Sequence, residues 1–93
     1  MAYPKLIPNL VGGEERPAAG GGDLEIVSPH DGREIGRLAR SGSSDVEAAV
    51  ASARAAQPGW AATPGVRRGE ILHAIANLIE TRREELAALV AAE

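Results

Sequence analysis

The chain has 93 residues, a formal net charge of −3 at neutral pH and no cysteine. This length allows one small domain or a piece of a larger one. The missing cysteines exclude disulfides, thiolate metal ligands and thiol nucleophiles, and the acidic balance provides no basic surface for a nucleic-acid partner. No apolar run approaches the roughly 18 residues of a membrane span. No long apolar segment follows the N-terminus, so we expect a cytoplasmic protein with no membrane partner.

The first part, residues 1–22, is predicted to be an extended arm. Three of the six prolines fall within its first seventeen residues. One short strand is predicted at Asn9–Val11, and Ala18–Gly22 is typical of a flexible connection. Its glycine run, Gly20-Gly21-Gly22, does not open a helix as G-x-G-x-x-G and precedes no Walker lysine. We therefore interpret the run as a linker and not as a phosphate-binding loop.

A β-hairpin is predicted next, in the stretch "IVSPHDGREIGRL". Leu24–Val27 and Glu34–Ala39 are its two strands, and Asp31-Gly32 supplies the positive φ angles that a tight turn needs. Gly32 is expected to close that turn between residues 27 and 35. Because a two-stranded hairpin is marginal in water, it needs further structure packed against one face.

The second half is predicted to be helical. Ser44 and Glu47 fit a capping box, and Gln57-Pro58-Gly59 should end the first helix. Thr63 as N-cap and Pro64 as first residue should start a second helix. A second capping box, Thr81 to Glu84, predicts a third helix, although one long bent helix is the alternative. The residues predicted to be buried share one helical phase: Val46, Val50, Ala53, Ile71, Leu72, Ile75, Leu78, Ile79, Leu86, Leu89 and Val90.

Residue chemistry alone provides no catalytic constellation and no cofactor-binding residue. His30 and His73 lack neighbouring ligands in a metal-binding pattern, so we interpret them as solvated side chains. Adjacent carboxylates such as Glu84-Glu85 do not face each other on a helix. The pairs Arg67-Arg68 and Arg82-Arg83 lie near glutamates, which favours ion pairing on the helix surface.

The order of four segments nevertheless resembles the N-terminal part of the aldehyde dehydrogenase superfamily, which oxidises aldehydes with NAD or NADP. The segments are "LVGGEE", "LEIVSPHDGREIGRL", "DVEAAVASARAAQPGW" and "RRGEILHAIANLIETRREELAALVAAE". They are similar to the family's opening strand, its "N-P-A-T-G-E" hairpin and its two helix patterns, and they span Asn9 to Glu93. The departures are Glu15 for the usual Trp, Ser28 for Asn, and His30-Asp31 for Ala-Thr.

This resemblance implies an α/β fold in which an N-terminal β-hairpin and two or three α-helices open a Rossmann-like cofactor domain. Residues 23–93 would be an incomplete N-terminal part of that domain. In the complete enzyme, a Cys thiolate would attack the aldehyde, hydride would pass to NAD or NADP, and a Glu-activated water would release the acid. Those groups lie beyond this chain, so no catalytic or cofactor-binding residue is assigned here.

Three positions could match a structural monovalent cation site that the resemblance implies: the carbonyls of Ile26 and Val27 and the carboxylate of Glu93. The absence of any ion is the alternative, because few carbonyls and one carboxylate bind alkali ions weakly. The resemblance also implies a homo-oligomer, a dimer or tetramer, with the remainder of the enzyme chain and an aldehyde as partners.

The last residues, Leu89 to Glu93, contain no Gly, Pro or basic residue, which is unusual for a helix end. We expect from this that the chain is a piece of a longer one. The competing hypothesis is a small non-enzymatic α+β interaction module or a decayed gene product. Coding sequence beyond Glu93 would distinguish the two.

Overall fold

The computed structural model describes residues 3–93. Five strands precede three helices along the chain. The strands are β1 (Leu6–Ile7), β2 (Asn9–Val11), β3 (Glu14–Arg16), β4 (Asp23–Val27) and β5 (Glu34–Ala39), and the helices are α1 (Ser43–Ala62), α2 (Gly65–Thr81) and α3 (Arg83–Ala92). The predicted α/β class is confirmed.

Strands β4 and β5 form the predicted hairpin, and β1 adds a third strand that the sequence did not predict. The order in the sheet is β1-β5-β4, with β4 antiparallel and β1 parallel to β5. The Arg37 side chain crosses to Asp23 on the neighbouring strand, with Nε and Oδ1 2.6 Å apart. Its Nη1 contacts Glu34 at 2.6 Å. The hydrogen bond to Asp23, and to a smaller extent that to Glu34, raises the pKa of the Arg37 guanidinium. The bond to Asp23 also helps to set the register of β4 against β5.

The hairpin loop differs from the predicted turn in one respect. Gly32 has φ +73°, as expected, but no non-glycine residue has positive φ within residues 3–93, so Asp31 does not share that conformation. The Gly32 N–H donates to the Ser28 carbonyl, and the Ser28 N–H donates to the Arg33 carbonyl, each at 2.8 Å. Since Pro29 favours a helical φ, the chain makes one helical turn that Gly32 ends.

Replacing Gly32 with Ala should lower the free energy of unfolding by about 1–2 kcal/mol, because a side chain is strained at positive φ. A Cβ there would meet no atom within 4 Å, so the cost is conformational and not steric. Denaturant titration of a full-length protein that contains this segment measures the change. Gly69→Ala is the matched control: it adds a methyl group in open space within α2 and should stabilise slightly. Equal unfolding midpoints for Gly32→Ala and the parent would contradict the prediction.

The predicted strand at Asn9–Val11 is confirmed, and it belongs to a second hairpin whose other strand was missed. β2 pairs with β3, and Gly12 and Gly13 both have positive φ, as a two-residue I′ turn requires. The strand β3 was not predicted from the sequence because its charged residues have weak strand propensity. A Cβ at Gly12 would lie 3.2 Å from Ser52 Oγ, so this hairpin packs closely on α1.

The first helix differs from its prediction at both ends. The capping box at Ser44 and Glu47 is wrong: Gly42 is the N-cap, and its N–H donates to the Asp45 carboxylate at 2.9 Å. The predicted end at Gln57-Pro58-Gly59 is also wrong, because Pro58 lies inside α1. Proline removes one backbone hydrogen bond there. The next turn is closed by Thr63, whose hydroxyl donates to the Gly59 carbonyl at 2.8 Å.

At the boundaries of α2 and α3, the threonines predicted to cap the next helix bond instead to the helix before it. Thr63 does not cap α2, whose N-cap is Pro64. Thr81 does not cap α3 either, because its hydroxyl donates back to the Asn77 carbonyl at 2.9 Å. A separate third helix is nevertheless confirmed, with Arg82 (φ −101°, ψ 19°) between α2 and α3. The hydrogen bonds from Arg82 to Glu85 lower the pKa of the Glu85 carboxyl.

The molecule is a thin layer and has little core. Its principal dimensions are 48 × 35 × 17 Å. Its radius of gyration is 16.6 Å, against about 12 Å for a compact domain of this length. Within residues 3–93 only Val11, Ala18 and Gly36 are buried. Within this segment the helical apolar residues predicted to be buried are not covered: Ile71, Leu86 and Leu89 are half-buried and the others are exposed. Their burial in a full-length enzyme stays a prediction.

Candidate functional site

Glu93, one of the three predicted cation ligands, lies where the two ends of the described chain meet. The Tyr3 hydroxyl donates to Glu93 Oε1 at 2.5 Å. The Tyr3 ring lies against Gly36, where an added Cβ would be 2.9 Å from Cε1. Gly36 is the cross-strand partner of Ile26, and the ladder shifts register between Ile26 and Val27. Tyr3 thus connects Glu93 to the strand pair that contains both predicted carbonyls.

This arrangement is chemically suited to an alkali cation. Its donors are oxygens, the ligand type that hard cations prefer. The Tyr3 hydroxyl bonds one oxygen of Glu93, which leaves the other as a possible ligand. The register shift interrupts regular pairing at Ile26 and Val27. Within residues 3–93 no cluster of three His, Asp or Glu side chains could hold a metal ion. The cation site at Ile26, Val27 and Glu93 stays a prediction.

The contact with Glu93 makes Tyr3 a spectroscopic reporter. The hydrogen bond to Glu93, followed by desolvation and the carboxylate charge, raises the pKa of the phenol above its ordinary value of 10.0. A raised folded-state pKa means that the contact stabilises the fold below pH 10.0 and is lost as the pH rises through the higher folded-state pKa.

Because Tyr3 is the only tyrosine in the chain, its ionisation can be followed directly by ultraviolet absorbance. We expect a midpoint above 10.0 in the parent chain. Glu93→Gln, which removes the carboxylate charge and leaves the length of the side chain unchanged, should lower it toward the ordinary value. Identical midpoints for the two chains would show that Tyr3 and Glu93 do not meet.

The N-terminus of α1 is the place where a phosphate could be expected, and its own side chain fills it. The Asp45 carboxylate accepts the Gly42 N–H at 2.9 Å and, through Oδ1, the Ala19 N–H at 3.0 Å. A cleft of about 430 Å³ lies beside it, between the glycine run and the start of α1. A negative carboxylate bound to the helix N-terminus competes with any anion there. The linker interpretation of Gly20–Gly22 fits this geometry.

A second cleft, of about 350 Å³, lies between the N-terminal arm and the main sheet. Its wall is mainly aliphatic, with Leu6, Pro8, Pro17, Ala18 and Ala39 among the lining residues. Arg16, at its edge, is 3.7 Å from Glu14 and exposed to solvent. None of these residues supplies a nucleophile or a paired acid and base, so the cleft has no evident chemistry of its own.

The remaining residues singled out in the sequence are separated from one another. His30 and His73 are both exposed, the first in the hairpin loop and the second on α2. Arg67 pairs with Glu70, as predicted, with Nη1 and Oε2 3.1 Å apart. The structure adds two residues that sequence reasoning missed, Tyr3 and Asp45. Only Asp45 had a sequence signal, an acidic residue in the first turn of a helix. Arg68, for which the sequence favoured ion pairing on the helix surface, instead has a buried Nε without a hydrogen-bond partner among residues 3–93.

The comparisons with known proteins agree with this architecture. The model of the "Aldehyde dehydrogenase family" matches residues 16–93, most of the chain. Acetaldehyde dehydrogenase 2 of Cupriavidus necator is 40% identical over 85 residues, which is 91% of this chain and 17% of that protein. The chain thus spans about one-sixth of the length of the curated relatives it matches. The matched region is their N-terminal part.

Two solved structures share the fold closely. A crystal structure of PnpE in complex with nicotinamide adenine dinucleotide is 40% identical, with a TM-score of 0.90 over 92% of this chain and 18% of that one. An NAD-dependent aldehyde dehydrogenase from Sinorhizobium meliloti is 34% identical, with the same TM-score of 0.90 over 98% of this chain and 19% of its own. The backbone described here therefore matches a segment of proteins about five times longer.

Proposed function

Because this chain belongs to the aldehyde dehydrogenase family, we propose that it is the N-terminal scaffold of an enzyme that oxidises an aldehyde to a carboxylic acid. The observation that best supports this proposal is the small thickness of the molecule. Stable domains are built from at least two packed layers around a core, whereas the described part of this chain is 17 Å thick and has three buried residues. A surface of this kind is what a segment would present to the remainder of a longer enzyme.

NAD is the cofactor that we propose for the complete enzyme, because NAD is named for the structures that this chain resembles. NADP is the alternative. When bound, such a cofactor accepts hydride from the substrate. We propose that the described residues do not form its site. Asp45 fills the helix N-terminus of α1, which adjoins the glycine run and where a phosphate would otherwise be expected.

The chain's own residues act on structure and not on the reacting atoms. The hairpin β4–β5 and the strand β1 form a small sheet. Tyr3 lies against its central strand, β5, at Gly36 and bonds Glu93 at the end of α3. Asp45 fastens the loop before β4 to the start of α1. If a monovalent cation binds, Ile26, Val27 and Glu93 would hold it and reinforce the same junction.

A segment exchange tests the proposed function. The matching region of acetaldehyde dehydrogenase 2 from Cupriavidus necator is replaced by residues 1–93, and NAD-dependent oxidation of acetaldehyde is measured. We call this hybrid the carrier protein. A deletion of the same region is the control. We expect the carrier to retain activity that the deletion lacks, and a carrier as inactive as the deletion would contradict the proposal.

None of the three helices within residues 3–93 is both long and apolar enough to cross a membrane. The cytoplasmic location and the dimeric or tetrameric state stay predictions. Cell fractionation and light scattering on the protein encoded with this segment would measure them. Coding sequence past Glu93 that continues into a catalytic cysteine would also support the enzyme over an interaction module.

A further inference from the structure

One face of α2 combines an unpaired charge with apolar side chains. At 100° per residue, Arg68, Leu72, Ile75 and Ile79 fall on the same side of the helix. Leu72, Ile75 and Ile79 are 60%, 47% and 54% exposed. Arg67 and Glu70 point away from this face and pair with each other. We call the first four residues the Arg68 face.

Arg68 has no acceptor of its own on this helix. Its Nε is buried and has no hydrogen-bond partner among residues 3–93. The positions three and four residues away, where a helical ion-pair partner would lie, hold Pro64, Gly65, Ile71 and Leu72. A Cβ at Gly65 would lie 3.9 Å from Arg68 Nη2, so the guanidinium leans over a residue without a side chain. A buried N–H of a guanidinium that has no acceptor is costly, which points to a partner outside this segment.

The area of exposed surface indicates what kind of partner this is. The accessible surface is 7254 Å², whereas a compact protein of 9.6 kDa exposes about 5,100 Å². The excess of about 2,100 Å² is more than twice the roughly 800 Å² that each partner buries in a standard interface. Such an excess fits the continuous contact of a segment with the rest of its own polypeptide better than a transient encounter.

We propose that the Arg68 face docks onto the remainder of the enzyme chain and that Arg68 pairs there with a carboxylate. This inference rests on the proposed function, because the occupant is the polypeptide that the segment lacks. A carboxylate is the matching acceptor, since it accepts two parallel hydrogen bonds from the Nε and Nη edge of a guanidinium. Leu72, Ile75 and Ile79 supply the apolar contact around that pair and keep water away from it.

The test compares Arg68 with its neighbour Arg67 in the carrier protein. Arg68→Met and Arg68→Lys are made, with Arg67→Met and Arg67→Lys as matched controls of the same size and charge. Loss of one partner from a buried pair should lower the thermal midpoint by about 3–5 °C for Arg68→Met in a chain as long as the carrier. Lysine cannot form the two-pronged contact, so Arg68→Lys should restore only part of the loss. Both Arg67 variants should melt within about 2 °C of the parent carrier.

Labelling with phenylglyoxal, read by mass spectrometry of peptides, gives a second measurement on the unmutated proteins. Arg68 should react in the 93-residue chain and be protected in the carrier, while Arg67 reacts in both. Equal melting losses at the two positions, or equal labelling of Arg68 in both proteins, would overturn the inference. A second copy of this chain as occupant would instead protect Arg68 in the 93-residue chain as its concentration rises, which also overturns it.

The failure of this inference and that of the proposed function are distinguishable. A carrier that folds without activity argues against the proposed function, yet its melting and labelling still decide the role of Arg68. An active carrier in which the Arg68 and Arg67 variants behave alike supports the proposed function and refutes the docking of the Arg68 face. A carrier that does not fold at all counts against both, since each requires the segment to fit the relative's chain.

Discussion

The isolated 93-residue chain is expected to oxidise no aldehyde and to bind neither NAD nor NADP. It has no cysteine, so the covalent step that the family resemblance implies lacks its nucleophile. The N-terminus of α1 is filled by the Asp45 carboxylate, which occupies the Gly42 N–H. The negative charge of this carboxylate also repels a pyrophosphate. With three buried residues among those described, the chain should also melt with low cooperativity and self-associate through its exposed apolar side chains.

Calorimetric titration with NAD and with NADP measures the binding directly. PnpE, whose crystal structure was determined in complex with nicotinamide adenine dinucleotide, serves as the positive control for NAD. Sedimentation and an apolar dye report the exposed surface of the isolated chain. A micromolar dissociation constant for either nucleotide would contradict the prediction and would require a cofactor site among these residues. A sharp, concentration-independent melting transition would contradict the expectation of a marginal fold.

Local patterns in the sequence predicted the elements whose causes are local. The hairpin β4–β5 follows from β-prone runs around Asp31-Gly32, and α2 and α3 follow from apolar residues at helical spacing. The strand β1 could not be found in this way. Leu6 pairs with Arg37, about thirty residues away and in parallel, and two-residue strands carry no periodicity. Its formation depends on a long-range contact and not on local propensity.

The helix ends show a different limit of sequence reasoning. Ser44, Thr63 and Thr81 all have side chains that can cap a helix, and none of them does so in the predicted role. Two of the hydroxyls bond instead to carbonyls of the preceding helix, at Gly59 and Asn77. Since a hydroxyl can accept a hydrogen bond at a helix start or donate one to a carbonyl at a helix end, the geometry of the neighbouring residues decides between the two. The role of Asp45 was missed for a related reason, because its second partner, the Ala19 N–H, is distant in sequence.

Of the candidate site, the sequence supplied Glu93 by resemblance but not the residue that touches it. Tyr3 lies 90 residues from Glu93 in the sequence, and no pattern in "MAYPKL" predicts a contact with the other end of the chain. The burial of the helical apolar side chains was predicted from phase alone. Phase predicts which side of a helix is apolar, but within residues 3–93 no layer covers that side.

Replacing Gly36 with Ala should detach the N-terminal arm from the sheet. A Cβ at this position would lie 2.5 Å from the Pro4 carbonyl oxygen and 2.9 Å from the Tyr3 ring. The first contact is with backbone, which cannot rotate away as a side chain can. The arm must therefore move, and the 2.9 Å hydrogen bond from the Arg37 N–H to the Lys5 carbonyl is lost with it. Overpacking and the lost hydrogen bonds together should cost about 2–4 kcal/mol.

Hydrogen exchange in the carrier protein reads this effect at the affected strands. The amides of β1 and Arg37 should exchange faster in Gly36→Ala, and the contact between Tyr3 and Glu93 should be broken. Gly20→Ala is the matched control, because Gly20 does not have positive φ and a Cβ there would meet no atom within 4 Å. If Gly36→Ala exchanges and melts like Gly20→Ala, the arm does not lie on β5 at Gly36. Tyr3 could then not serve as the link that brings Glu93 to the strand pair of Ile26, and the predicted cation site would lose its geometric support.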